Sequence, residues 1–273
     1  MNARAIWQAI EPIHAVTYFA DECDNAFRAA GLKGFWMGYF AGRSAPMGEV
    51  GPEIVEATFF NFHPSMVQRA LPDAWTHATA ATVLDVRATT SASVLRQLVD
   101  GIDDHAVTLL PLMQRAIDAA NAEGRPLFAA NRDVAAPSDP VAALWQATTA
   151  LREHRGDGHV AVLTAAGLDG CETHVLFAMA HGVSRDLYLR SRGWSDDDWS
   201  AAEQRLRSRG AGPDLLDAIE ARTDALAWQP YEGLSNAEVD LLVHTAGEVA
   251  AAINASGLYP YPNPIGLPAP AGA

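Results

Sequence analysis

A chain of 273 residues with 49% apolar composition can bury one large core or two smaller ones, and two units is the working expectation. Its 33 acidic residues against 19 basic ones give a formal net charge of −14, a surface that repels nucleic-acid phosphates and anionic lipids. Cys23 and Cys171 are the only two cysteines, too few for a disulfide framework or a thiolate zinc site. No apolar run approaches the roughly 20 residues of a bilayer span, and the first residues lack a secretory stretch, so a cytoplasmic location without membrane partners is expected.

In chain order, Trp7, Ile10, His14 and Tyr18 recur at helical spacing, with Pro12 predicted to start or kink the helix. A short helix from about Asp24 should end at Gly31. In the aromatic stretch that follows, Gly34, Gly38 and Gly42 fall four apart, a bare stripe where another backbone can approach. Pro52 marks the next helix, to Phe62, and a short one covers Ser65 to Arg69. Long helices are expected over Ala74–Thr89 and Ser91–Asn121. The aperiodic run Asn131 to Ser138 is taken as a domain boundary.

Asp139-Pro140 reads as an N-cap followed by a first-turn proline, with Val141, Leu144, Trp145, Thr148 and Leu151 as the buried face. After a predicted break at Gly156-Asp157-Gly158, helices follow over His159–Ala166, over Gly170–Ala180 and from Ser195, whose partner Asp198 completes a capping box. Ser235 and Glu238 form a second box, opening a helix with an apolar stripe from Val239 to Ile253. That stripe is long enough to pair two copies of the chain. Residues 258–273, rich in proline and glycine, form an extended tail. The fold class is mainly α, with units at 1–137 and 138–257.

Three groups of residues carry candidate chemistry. His14 and Tyr18, four apart on one helix face, are the candidate catalytic pair, a proton acceptor beside a donor. Trp36, Tyr39, Phe40, Phe59, Phe62 and His63, with Phe60, can wall a flat apolar cavity for a small-molecule ligand. Arg43 can serve a ligand carboxylate or pair with Glu49 or Glu11. The competing reading makes the aromatics core and His14 a satisfied buried histidine. His154, Asp157 and His159, with Glu172 and His174 beyond, raise the question of a metal, but a salt-bridged helix junction is favoured and no metal or cofactor is predicted.

Several segments resemble a known family. Between residues 151 and 210 these are Arg152-Glu153-His154-Arg155-Gly156-Asp157-Gly158, Gly167-Leu168-Asp169-Gly170-Cys171-Glu172 and Arg192-Gly193-Trp194-Ser195-Asp196-Asp197-Asp198-Trp199. Glu11 to Phe19, Gly38 to Arg43, Arg222 to Leu226 and Pro262 to Pro268 extend the likeness over nearly the whole chain. Together they resemble an actinobacterial family of helix-turn-helix proteins with a MarR-like winged helix. The resemblance implies a winged-helix-like second unit, in which the helix from Ser195 would enter the DNA major groove, and a homodimer paired through terminal helices, for which the Val239–Ile253 stripe would serve. Two features depart from it. That helix leads with three aspartates, and Gly210-Ala211-Gly212-Pro213 runs straight into helical residues where the family has room for a hairpin, so the wing is reduced or absent.

Two functional readings follow. The first is a small-molecule-binding protein with an aromatic-lined pocket, where His14 and Tyr18 bind a ligand or carry out cofactor-independent acid-base chemistry on a secondary-metabolite-like substrate. The second is a ligand-responsive MarR-like regulator that binds DNA as a dimer. The acidic helix and missing wing favour the first.

Overall fold

The structure, a computed structural model, describes residues 3–267 and 269. It is built of fourteen α-helices with no strand among the described residues. The first five are α1 (Ala3–Phe19), α2 (Asp21–Ala29), α3 (Phe35–Ser44), α4 (Pro52–Phe59) and α5 (Pro64–Gln68). Then come α6 (Ala80–Leu98), α7 (Ile102–Ala119), α8 (Pro126–Asp133), α9 (Pro140–Ala165) and α10 (Gly170–His181). The last four are α11 (Arg185–Arg192), α12 (Asp196–Ser208), α13 (Pro213–Trp228) and α14 (Asn236–Ala255).

The local signals act as their chemistry requires. Asp139 accepts hydrogen bonds from Val141 N and Ala142 N at the start of α9, and both predicted capping boxes are present, Ser195 with Asp198 and Ser235 with Glu238. Tertiary packing overrides local signals elsewhere. Pro12 does not start α1, which runs through it with Ala9 to Thr17 buried; packing on α9 and α14 outweighs the missing N–H. The expected break at Gly156 and Gly158 is absent, so His159 to Ala165 belongs to α9. Here the glycines serve close approach: a Cβ at Gly158 would lie 2.7 Å from Arg125 Nη1. The long helix expected over 91–121 is divided by Gly101, whose φ of 72° is left-handed, and α8 fills the first part of the supposed boundary loop. The polar helix α11, with only Tyr188 and Arg192 buried, has no periodic signal in sequence. The Gly38/Gly42 stripe takes a side chain, not a backbone: a Cβ at Gly42 would lie 2.9 Å from Phe27 Cζ.

Three apolar clusters hold these helices. The largest joins α1, α6, α7, the first half of α9 and α14, and so draws on both sides of residue 137. The second gathers Phe27, Phe40, Val55, Phe59 and Phe62 with the start of α6. The third joins the end of α9 to α10, α11, α12 and α13. The predicted α14 stripe is buried within the chain, with Leu242, Ala246, Val249 and Ile253 against α1 and α7, so a homodimer would have to use another face. The segment after α14 folds back: Tyr259 is buried and donates its hydroxyl to Pro12 O. Of the predicted tail, residues 268 and 270–273 lie outside the described residues.

Helix α11, the turn Gly193-Trp194-Ser195 and α12 form a helix-turn-helix, with α10 packed across α12. No hairpin follows; the connection from α12 to α13 is Arg209 to Gly212.

Candidate functional site

The middle of α9 is where the charged interior is built. Glu153 is fully buried, and Arg43 grips it with two parallel hydrogen bonds, Nε to Oε1 at 2.8 Å and Nη2 to Oε2 at 3.0 Å. Arg152 adds Nη1 to Glu153 Oε2 at 3.0 Å and Nε to Glu11 Oε1 at 3.3 Å, and Trp7 Nε1 donates to Glu11 Oε2 at 3.1 Å. Two arginines and two glutamates thus cancel. Arg43 also lies 4.2 Å over the Phe59 ring centre. Although burial alone would raise it, the neighbouring Arg43 and Arg152 hold the Glu153 carboxyl well below the carboxylate range. Arg43 therefore pairs with neither Glu49 nor Glu11, the partners anticipated from sequence.

His14 and Tyr18 do meet, with Nε2 3.1 Å from the Tyr18 hydroxyl. On the other side Nδ1 lies 2.9 Å from Thr149 Oγ1, whose own hydrogen is directed to Trp145 O at 2.8 Å. Thr149 can then only accept, so Nδ1 carries the proton and Nε2 accepts from Tyr18. Trp145 Nε1 closes the loop on His14 O at 3.0 Å. Burial, with Arg152 nearby, holds the imidazole neutral, and burial raises the Tyr18 phenol. Both face a gap of about 20 Å³, water-sized, lined also by Thr17, Arg87 and Glu153.

A much larger cavity, about 670 Å³, opens on the other side of Tyr39 and Arg43. Its walls come from α1 (Arg4, Trp7), the end of α4 (Phe59 to Phe62), α9 (Val160, Leu163), α10 and α11 (His174, Phe177, Tyr188, Arg192), α13 (Leu216, Glu220) and the returning segment Tyr261 to Leu267. Of the aromatic set expected from sequence, Tyr39, Phe59 and Phe62, with Phe60, line it together with Arg43. The other three do not. Phe40 is wholly buried in the second cluster, Trp36 packs on Phe40 and Phe62, and His63 caps α5 by accepting from Ser65 N while its ring meets Trp194. Arg152, Glu153, Tyr188 and Arg192 were not among the site residues expected from sequence; Glu153 is joined to Arg43 and Arg152 to Glu11 by contacts 110 and 141 residues apart.

The histidines considered for a metal are dispersed. His154 packs edge-on against Phe128, His159 Nδ1 meets Thr223 Oγ1 at 3.0 Å, and His174 Nε2 donates to Asn61 O at 3.2 Å. Among the described residues no group of three His, Cys, Asp or Glu side chains is placed to hold a metal ion. Asp157 instead caps α8, accepting from Phe128 N at 2.9 Å. Burial, with Glu153 adding repulsion, pushes its pKa from 3.8 up to about 7. A carboxyl raised in this way costs stability as it ionises; the penalty is absent below its unfolded value and complete above its folded one. Asp157→Asn keeps the acceptor and never ionises. Its stability relative to the wild type should therefore climb between pH 3.8 and about 7, as read by thermal unfolding across that range. A difference that stays flat with pH would mean that the carboxyl ionises normally.

Helix α12 presents a different surface. Asp196, Asp197 and Asp198 occupy its first turn, and its arginines are already paired: Arg205 with Asp169 and Glu172, Arg207 with Glu203, and Arg209, at its C-cap, with Glu172. It offers no unpaired cation to a phosphate. No single helix among the described residues is long and apolar enough to cross a membrane.

No curated protein and no solved structure matches the chain. A family model described as a helix-turn-helix family matches residues 3–260, which takes in the α11–α12 motif and nearly every cavity wall, and the chain belongs to that helix-turn-helix family.

Proposed function

We infer that this chain is a small-molecule-binding member of its family, in which α10, α11 and α13 help to wall a ligand cavity. The observation that carries this is the 670 Å³ space itself, within the range of ligand sites, lined by aromatic rings and by polar and charged side chains that include five arginines. His14 and Tyr18 stand apart from that space, hydrogen-bonded to their neighbours and opening onto a water-sized gap.

A second reading is favoured by the family match: a ligand-responsive, MarR-like regulator that binds DNA, with the α10–α11 wall of the cavity coupling occupancy to α12. The actinobacterial origin implied by the resemblance belongs to this reading. Against it stand the aspartates leading α12, the paired arginines and the absence of a wing among the described residues.

Calorimetric titration at low salt with random-sequence duplex DNA, and with the DNA upstream of the protein's own gene, separates the two. The first reading expects no binding heat. Micromolar or tighter binding to either DNA would overturn it in favour of the regulator.

A further inference from the structure

The large cavity contains one arginine that no carboxylate answers among the described residues. Of the five arginines in its lining, Arg4 and Arg155 face Glu220 and Asp224, and Arg43 and Arg152 face Glu153 and Glu11. Arg192, the last residue of α11, is 5% exposed and has no carboxylate within ion-pair distance among the described residues. Its Nη1 donates to Ser191 O at 3.2 Å, its Nη2 to Pro264 O on the returning segment, and its Nε is buried with no partner. The guanidinium lies 4.5 Å from the Phe62 ring centre. Burial works against its charge, as do Arg43 and Arg152 nearby, yet an arginine in a protein keeps its proton. A desolvated cation without a counter-charge is unfavourable, and every other arginine in this lining has been given one.

The surroundings suit an anion with an apolar body. Tyr188, stacked on His174 at 4.4 Å, and Tyr39 bring hydroxyls that make no hydrogen bond within the described chain, while Phe62 and Phe177 supply flat apolar surface. With His174 Nε2 donating to Asn61 O, its Nδ1 is left as an acceptor. A single uncompensated guanidinium balances one negative charge, which favours a carboxylate over a phosphate dianion, and its planar fork matches a carboxylate geometrically.

We propose that Arg192 anchors the carboxylate of a small organic acid, a monoanion whose aromatic-sized body lies against Tyr39, Phe62, Phe177 and Tyr188 beneath the segment Tyr261 to Leu267. This rests on the cavity's being a small-molecule site. The same guanidinium holds Pro264 O, so the acid and the covering segment share one anchor.

The test compares phenylacetate with phenylacetamide, which has the same shape without the charge, by calorimetry on the full chain, with the neutral dye Nile red as a separate report on the cavity. The acid is expected to bind about tenfold or more tightly than the amide, a preference that Arg192→Met abolishes and Arg192→Lys keeps in part. Equal affinities, a preference that survives Arg192→Met, or dye binding with no binding of the acid would overturn the anchor and leave the cavity reading standing. Failure of acid, amide and dye alike would overturn both. Because the wild-type comparison of acid with amide does not depend on a variant, it decides the point even if Arg192→Met does not fold.

Discussion

Replacing Glu153 by alanine is expected to lower stability by about 3–5 kcal/mol, measured by urea or thermal unfolding at neutral pH. The wild-type carboxylate is fully buried between Arg43 and Arg152, and its loss leaves two half-buried guanidinium groups with only Glu11 to answer them. The cost arises from stranding the arginines more than from losing the pair itself. The pH dependence has a definite sign. Because the Glu153 carboxyl is held below its ordinary 4.5 in the folded chain, its contribution is complete above that value and disappears as pH falls through the folded one. The gap between wild type and variant should therefore narrow on acidification below pH 4.5. A loss under about 1 kcal/mol at neutral pH would place the quartet among solvent-screened ion pairs.

Gly170→Val is expected to cost about 3 kcal/mol, the upper end of what overpacking a rigid site costs. A Cβ at Gly170 would lie 2.4 Å from Phe60 O and 3.0 Å from Asn61 Cα, backbone atoms that cannot rotate away. That corner also fixes the cavity wall, since Asn61 O receives His174 Nε2 at 3.2 Å and Trp194 Nε1 at 3.1 Å. The variant should thus lose ligand affinity along with stability. Gly247→Ala is the control: nothing lies within 4 Å of the added carbon on α14, and helix propensity predicts unchanged or slightly raised stability. If thermal unfolding shows the two variants alike, α10 is not held against the Phe60–Asn61 turn as described.

What could be read from the sequence was local. The Asp139, Ser195 and Ser235 caps, the mainly α class and the hydrogen-bonded proximity of His14 and Tyr18 all follow from residues two to four apart. The continuity of α9 through two glycines could not be read in this way, because Arg125 and α8 supply the reason for it from elsewhere in the chain. Nor could the partner of Arg43, which lies 110 residues away at Glu153. Without the positions of α10, α11 and α13, the sequence offers no means of telling cavity rings, such as Tyr39 and Phe62, from a core ring such as Phe40. Arg192 carries no signal in sequence, being one of several arginines in a polar helix, and burial without a carboxylate sets it apart from the other arginines of the cavity lining.

The most direct test of the central claim, that the 670 Å³ cavity takes a small molecule, is equilibrium binding of Nile red to the wild type and to Val160→Trp. Val160 lies on the α9 wall, seven residues beyond Glu153, and an indole there occupies part of the space. The account predicts saturable binding of one dye per wild-type chain and about tenfold or weaker binding to a variant whose circular dichroism is unchanged. Equal binding to both proteins, or none to the wild type, would contradict it.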